Sequence, residues 1–210
     1  MTDSSLTKAT VFVVDDDQAM RNSLKWLIES VGVAVESFSS ADDFLVQYQP
    51  GRAGCLVLDV RMPGMSGLEL LEHLAERNVH IPAVIITGHG DVPMAVRAMK
   101  SGAIDFIEKP FNDEALLDAI RRAIVFEEQQ RSLHSEHVQI QERLSHLTPR
   151  EHEVMAMVTA GKSNKEIANT LGVSAKTIEA HRARVMEKMQ AGSLAELVRM
   201  ALAATNGNDH

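Results

Sequence analysis

Short apolar runs alternate with amphipathic stretches over the first 125 residues. The apolar runs lie at 11–14, 33–38, 55–58, 82–86 and 103–107. Each run is either rich in β-branched or Leu residues or alternates apolar and polar positions. Polar or turn-forming residues follow each run, and this combination indicates β-strands. Apolar spacing and capping patterns predict helices that begin near Arg21, Ala41, Ser66, Asp91 and Asn112. This alternation predicts an α/β fold with a five-stranded parallel sheet covered by helices on both faces.

A polar segment follows the last of these helices. Phe126, Leu133, Ile140 and Leu147 recur every seven residues, but the positions three residues after the first three of them are polar. Only one of the two seams of a coiled coil would therefore be apolar. The pattern favours a solvated helical linker over residues 126–146, and weak pairing of this helix in a dimer remains an alternative.

Residues 147–204 are predicted to form a separate all-α domain of four helices. Thr148-Pro149-Arg150-Glu151 and Ser163-Asn164-Lys165-Glu166 both have the capping-box pattern that opens a helix. Gly172 lies in a tight turn before the third helix, which runs from Ser174 to about Met189. Two short helices joined by such a turn suggest a helix-turn-helix.

Charge is distributed unevenly along the chain, whose 210 residues carry a formal net charge of −8. Residues 1–147 hold 13 Lys+Arg and 22 Asp+Glu, net −9, and residues 148–210 hold 8 and 7, net +1. This balance argues against a protein that coats nucleic acid nonspecifically, but the second region could bind DNA through a local patch. Cys55, the single cysteine, lies in a predicted buried strand, and no signal peptide or long apolar span is visible. A cytoplasmic protein without a membrane partner is expected.

Polar side chains follow four of the five predicted strands. Asp15 and Asp16 follow the first strand, Asp59 the third, Thr87 the fourth and Lys109 the fifth. The carboxyl ends of parallel strands meet at one edge of a sheet, so we expect these residues to converge there. The alternative is a separate turn or cap role for each of them.

The carboxylates of this set suit a divalent cation. Asp15, Asp16 and Asp59, together with the main-chain carbonyl of Arg61, could supply oxygen ligands to Mg²⁺, with water and phosphate oxygens as the remaining ligands. Without a cation, three clustered carboxylates would repel one another and one would tend to take up a proton.

The chemistry predicted for the set is phosphoryl transfer to a carboxylate. Asp59 would attack phosphorus, while the cation and Lys109 neutralise the phosphoryl oxygens and Thr87 donates its hydroxyl to one of them. A phosphatase of the haloacid-dehalogenase type is the rival in the enzyme class. It would need a second Asp two residues after the nucleophile, where this chain has Arg61.

The third helix of the second region has two distinct faces. Its inner face carries Ile178, Val185 and Met189. Its outward positions are Lys176, Ala180, Ala183 and Glu187, flanked by Glu179 and Arg184. Small residues surrounded by longer polar ones allow close approach to a major groove, whereas a solvated face with two alanines is the alternative.

The set Asp15-Asp16, Asp59, Thr87 and Lys109-Pro110 resembles the receiver domain of bacterial two-component response regulators, over residues 9–125. The resemblance implies a flavodoxin-like doubly wound sheet of order 2-1-3-4-5 and a cis Lys109–Pro110 peptide. It also implies that a sensor histidine kinase phosphorylates Asp59, that Asp15 and Asp16 bind Mg²⁺, and that Thr87 and Phe106 form a switch pair. The segments 60–67 and 87–96 resemble the FixJ subfamily specifically.

Residues 147–204 resemble the LuxR/NarL-type DNA-binding domain through Leu-Thr-Pro-Arg-Glu, Ser-Asn-Lys-Glu-Ile-Ala and Lys-Thr-Ile-Glu-Ala-His. The resemblance implies DNA contacts, mainly to phosphates, from Lys165, Lys176, Thr177, Arg182, Arg184 and Lys188. Glu179, Ala180 and Ala183 occupy positions that can reach base edges, where Glu179 could accept a hydrogen bond from a cytosine amino group.

Together these features predict a phosphorylation-controlled transcription regulator rather than an enzyme. Phosphorylation would promote homodimerisation and binding to double-stranded promoter DNA, with RNA polymerase as a further partner and activation of transcription as the output. Release of an inhibitory contact between the domains is an alternative coupling. A regulator that binds DNA regardless of phosphorylation is a rival function, and Asp59→Asn would distinguish it.

Overall fold

The computed structural model describes residues 9–206. The described part of the chain divides into two compact units, with the boundary between Gln130 and Arg131. Among the described helices, none combines the length and apolar character that crossing a bilayer requires.

Strands and helices alternate along the first unit, as the sequence predicts. The strands are β1 (Thr10–Val14), β2 (Ala34–Phe38), β3 (Gly54–Asp59), β4 (Ala83–Thr87) and β5 (Ala103–Glu108). The helices are α1 (Gln18–Glu29), α2 (Ala41–Gln47), α3 (Gly67–Glu76), α4 (Val92–Lys100) and α5 (Asp113–Ser145), the last of which continues beyond Gln130. The strands pair in parallel in the order β2-β1-β3-β4-β5, which confirms the doubly wound prediction.

The sheet separates two apolar cores because successive side chains of a strand point to opposite faces. Phe12, Leu56 and Ile85 belong to one core. Val11 and Cys55 belong to the other, which α1 and α5 cover. Cys55 is fully buried, and burial raises the pKa of its thiol to about 12.

Helix α1 begins earlier than the apolar pattern predicts. Its first residue is Gln18 rather than Arg21, because the Asp17 side chain caps it by accepting hydrogen bonds from the N–H groups of Ala19 and Met20. Gln18 and Ala19, the first two residues of α1, are exposed, so hydrophobic spacing gave no signal for the start of the helix.

The second unit contains four helices after the end of α5. They are α6 (Pro149–Thr159), α7 (Asn164–Leu171), α8 (Ala175–Met189) and α9 (Leu194–Asn206). Val154, Ile167, Ile178 and Leu197 form a common core between them. Gly172 ends α7 in the left-handed conformation, with a φ of 68°, and lets the chain turn into α8.

The predicted linker, residues 126–146, is helical throughout most of its length because α5 runs unbroken to Ser145. Its seven-residue apolar repeat divides into two parts. Phe126 and Leu133 are 43% and 60% exposed, whereas Ile140 and Leu147 are buried in the core of the second unit. The expectation of a solvated helix therefore fails at Ile140, which packs with α6–α9 rather than facing water.

Candidate functional site

Three carboxylates meet at the carboxyl edge of the sheet. Val14 of β1 pairs with Leu58 of β3, so Asp15 and Asp59 follow at neighbouring positions. Ligand oxygens of Asp15, Asp16 and Asp59 all lie within 4.8 Å of one another. Asp15 and Asp59 are buried, and Asp16 is exposed to solvent. The convergence predicted from the strand ends is thus present in the fold.

Lys109 bridges two of these carboxylates from the loop after β5. Its Nζ donates to Asp15 Oδ2 at 2.9 Å and to Asp59 Oδ1 at 3.0 Å. Burial lowers the pKa of Lys109, but the two carboxylates outweigh burial and leave the pKa above its usual value. The ammonium is therefore charged and can neutralise an anion here. The peptide between Lys109 and Pro110 is cis, as the family resemblance implies.

Asp59 is held by one group on each of its carboxylate oxygens. Lys109 contacts Oδ1, and the Arg61 main-chain N–H donates to Oδ2 at 3.1 Å. Burial, helped by the nearby Asp15 carboxylate, raises the pKa of Asp59 by more than Lys109 and the Arg61 N–H lower it. A cation at the neighbouring carboxylates would counteract burial and favour the ionised, nucleophilic form.

The donor set fits a hard divalent cation. It consists of carboxylate oxygens from Asp15, Asp16 and Asp59. The ammonium group of Lys109 forms ion pairs with two of these residues, Asp15 and Asp59. Oxygen ligands of this kind suit Mg²⁺, which retains several waters when it binds one or two carboxylates.

Gly67 determines how closely α3 approaches Asp59, which the capping pattern near Ser66 does not predict. A Cβ at this position would lie 2.1 Å from the Asp59 carbonyl oxygen and 2.9 Å from Leu58 Cγ. The Gly67 N–H also donates to the Val60 carbonyl at 3.1 Å. The pairing of a glycine with a strand end eight residues earlier is a tertiary contact that hydrophobic pattern does not reveal.

The predicted switch residues lie on either side of Gly90. The buried Thr87 hydroxyl donates to the His89 carbonyl and accepts from the His89 N–H, both at 3.3 Å. A Cβ on Gly90 would lie 2.9 Å from Phe106 Cε1 and 3.6 Å from the Thr87 methyl group. The absence of a side chain at Gly90 therefore allows the half-buried Phe106 ring to take its present position.

The second candidate surface is the outward face of α8. Its inner residues Ile178, Val185 and Met189 are buried in the core. Seven of the nine residues predicted to contact DNA are exposed, namely Lys165, Lys176, Thr177, Glu179, Ala180, Ala183 and Arg184. Ala180 and Ala183 leave room for close approach of a groove, as the helical wheel predicts.

The other two residues predicted to contact DNA have partners within the second unit. Arg182 Nη1 donates to Asn164 Oδ1 at 2.6 Å and so ties α8 to α7. Lys188 Nζ donates to Glu151 Oε2 at 2.7 Å and to the His146 carbonyl at 3.1 Å. Lys188, followed by the Thr148 N–H, lowers the pKa of the buried Glu151 to about 2.

Comparison with known proteins assigns both units. Residues 11–121 match the response regulator receiver domain, and residues 145–201 match the bacterial regulatory proteins of the luxR family. A receiver domain implies a histidine kinase as partner, and the second match implies DNA binding.

Relatives cover nearly the whole chain. Nodulation protein W of Bradyrhizobium diazoefficiens is 48% identical over 93% of this chain and 86% of its own length. Transcriptional regulatory protein FixJ of Rhizobium meliloti is 48% identical over 96% of this chain and 99% of its own. A solved structure of response regulator StyR, 47% identical, covers 92% of this chain and 98% of its own with a TM-score of 0.84. The chain therefore belongs to the response regulators of the FixJ subfamily, which join a receiver domain to a LuxR-type DNA-binding domain.

Proposed function

We propose that phosphorylation of Asp59 by a sensor histidine kinase controls the binding of this regulator to promoter DNA. The observation that carries the proposal is the position of Asp59, buried at a strand end, within 4.8 Å of the Asp15 and Asp16 oxygens and 3.0 Å from Lys109. A carboxylate with this surrounding charge is suited to attack a phosphoryl group.

In the proposed reaction an oxygen of Asp59 forms a bond to phosphorus as the P–N bond of the kinase phosphohistidine breaks. The imidazole leaves with the bonding electrons and is protonated by solvent. Lys109 and the Thr87 hydroxyl contact the transferred phosphoryl oxygens. Asp15, Asp16 and Asp59, with the main-chain carbonyl of Arg61, would hold Mg²⁺, which supplies further neutralisation of phosphoryl charge. The receiver thus assists its own phosphorylation and dephosphorylation, and the chain acts as a regulator rather than as an enzyme on a separate substrate.

The phosphoryl group would compete with His89 for the Thr87 hydroxyl. Movement of Thr87 changes the space next to Gly90 and so permits the Phe106 ring to move. Phe106 belongs to β5, which packs beside α4, and α4 exposes Val92, Val96 and Met99. We place homodimerisation on this face.

A dimer would present two copies of α8 to half-sites about one helical turn apart on double-stranded DNA. Phosphate contacts are assigned to Lys165, Lys176, Thr177 and Arg184, and base-edge contacts to Glu179, Ala180 and Ala183. Arg182 and Lys188 act by holding α8 against α7 and α6. The expected outcome is activation through RNA polymerase in the cytoplasm. The proposed domain limits are 9–125 for the receiver, 126–146 for the linker and 147–204 for the DNA-binding domain.

The test compares the full-length protein with Asp59→Asn, each incubated with Mg²⁺ with and without acetyl phosphate. Light scattering should show a monomer-to-dimer change in the unmodified protein alone, and anisotropy should show a matching gain in promoter affinity. If intact-mass spectrometry confirms phosphorylation while the protein stays monomeric, dimerisation is the wrong coupling. Equal promoter binding by both proteins would instead favour the phosphorylation-independent regulator.

A further inference from the structure

Arg21, in the first turns of α1, is a buried cation beside the acidic site. Only 8% of its surface is exposed. Its Nη1 donates to the main-chain carbonyl of Asp15 at 2.6 Å, and its Nη2 donates to the Gln18 side chain. A buried guanidinium is costly unless its donors are satisfied, so these bonds fix both the arginine and the groups that it contacts.

The Asp15 carbonyl belongs to the peptide plane that joins Asp15 to Asp16. Because a peptide is planar, anchoring this oxygen also fixes the nitrogen of Asp16. Only the φ angle and side-chain torsions of Asp16 then remain to set where its carboxylate lies. Arg21 therefore restricts the directions that the exposed carboxylate of Asp16 can take.

The remaining polar groups of Asp15 already have partners. Its N–H donates to the Phe38 carbonyl at 3.3 Å, its Oδ1 accepts from the Asp17 N–H at 2.8 Å, and its Oδ2 accepts from Lys109. Asp17 in turn caps α1. Arg21 completes this set by binding the carbonyl, so that the loop between β1 and α1 is held at every polar atom of Asp15.

We propose that Arg21 is a positioning residue for the metal site: it fixes the Asp15–Asp16 peptide so that both carboxylates face Asp59. The inference rests on the proposed Mg²⁺ site. Outer contacts that orient metal ligands typically change metal affinity by about 10- to 100-fold when removed.

Charge and position predict opposite results for this arginine. A positive charge near a cation site repels the cation, so removal of the charge alone would tighten Mg²⁺ binding. Loss of the anchor would weaken Mg²⁺ binding because Asp16 is no longer held in place. The sign of the change therefore decides between a positioning role and a purely electrostatic one.

The experiment is calorimetric titration of the full-length protein with Mg²⁺. Arg21→Met keeps an unbranched apolar stem and removes both the charge and the donors, and Arg21→Lys keeps the charge with a single ammonium. We expect about 10-fold or greater weakening for Arg21→Met and a smaller weakening for Arg21→Lys. Arg52→Met is the matched control, because Arg52 also pairs closely, with Glu36, but precedes β3 at the opposite edge of the sheet. Its Mg²⁺ affinity should match the unmodified protein.

Phosphorylation by acetyl phosphate supplies a second readout. In Arg21→Met the Mg²⁺ concentration for half-maximal rate should rise, while the rate at saturating Mg²⁺ largely recovers. Unchanged or tighter Mg²⁺ binding by folded Arg21→Met would overturn the inference about Arg21. The proposed function would still stand in that case if Asp16→Asn abolishes Mg²⁺ binding, because the carboxylates would then still be the Mg²⁺ ligands. If Arg21→Met is unfolded, Arg21→Lys takes its place in the test. Mg²⁺ affinity of Arg21→Lys equal to that of the unmodified protein would then overturn the inference about Arg21. Absence of Mg²⁺ binding in the unmodified protein would overturn both.

Discussion

Gly67 shows how a single hydrogen atom in place of a side chain positions the proposed phosphoacceptor. Gly67→Ala would force a Cβ to within 2.1 Å of the Asp59 carbonyl oxygen, and main chain must move to relieve this contact. We expect a loss of about 1–3 kcal/mol in unfolding free energy and at least severalfold slower phosphorylation by acetyl phosphate. Urea unfolding and intact-mass time courses measure the two effects. Gly88→Ala, where an added Cβ meets nothing within 4 Å, is the control for stability; equal stability of the two variants would contradict the prediction.

Glu151 links the stability of the second unit to pH. Its pKa is about 2 in the folded chain against an ordinary value of 4.5, chiefly because Lys188 donates to it. Because this pKa is lower in the folded chain than in the unfolded chain, ionised Glu151 contributes to the free energy of unfolding. The contribution is fully present above pH 4.5 and is lost as the pH falls towards 2. Glu151→Gln keeps the capping-box geometry and removes the charge.

The melting temperature of Glu151→Gln should therefore be lower than that of the unmodified protein at neutral pH. The difference should shrink progressively below pH 4.5, as followed by circular dichroism on the full-length chain. A difference that stays constant from pH 7 to about pH 3 would mean that the ion pair with Lys188 does not contribute to it.

Residue type and strand-end position were enough to predict which side chains form the acidic site. Asp59 and Lys109 follow strands that apolar runs define, and parallel strands bring their ends together. Roles that depend on a distant partner were not predictable. Lys188 has the residue type of a phosphate contact, and its pairing with Glu151, 37 residues earlier, becomes visible only when α6 and α8 pack together.

At the scale of elements, α4 exposes most of its side chains to solvent. Ala98 is its single buried residue. Arg97 on α4 forms a two-pronged pair with Glu72 on α3, with both N–O distances at 2.7 Å. This exposed pair orients the helix that the proposed dimer face uses.

Arg97→Glu should loosen α4, because two like charges then face each other across α3 and α4. We expect roughly two- to fivefold faster amide hydrogen exchange in residues 92–100, measured by mass spectrometry at low salt. Adding Glu72→Arg to that variant reverses the charges of the pair and should restore slow exchange. Arg52→Glu, opposite Glu36, creates a similar repulsion elsewhere and should leave 92–100 unchanged. Fast exchange in the double variant would exclude the ion pair as the cause.

Helix α5 shows where sequence period alone is ambiguous. The seven-residue repeat of Phe126, Leu133, Ile140 and Leu147 looks like one continuous stripe. In the fold, the first two are exposed and the last two are buried with α6–α9. Periodicity reports which side chains share a helix face, but not which other element covers that face at each turn.

For the whole molecule, the charge distribution determines how DNA binding should respond to salt. Residues 1–147 carry a net charge of −9 and residues 148–210 carry +1, so we expect affinity for DNA to come from local contacts, such as the one proposed for Lys176, rather than from overall charge. Lys176→Gln removes one proposed phosphate contact from each protomer of a dimer. The slope of log K against log salt should then flatten by about 2.

Fluorescence anisotropy with promoter DNA across a salt series measures this slope. The mutation should weaken binding to specific and nonspecific duplexes by a similar factor, because phosphates carry no sequence information. An unchanged slope would show that Lys176 does not contact a phosphate, and a loss confined to the specific duplex would place Lys176 at a base edge.

Cys55 is the only cysteine of the chain, and it lies fully buried in β3 with a thiol pKa of about 12. At neutral pH such a thiol is protonated and shielded, so it reacts poorly with maleimides, spin labels and peroxide. Oxidants therefore lack an accessible thiol through which to act on this regulator. Engineered surface cysteines can be labelled selectively without first removing the native one, which makes the protein directly suited to distance measurements by electron paramagnetic resonance or fluorescence.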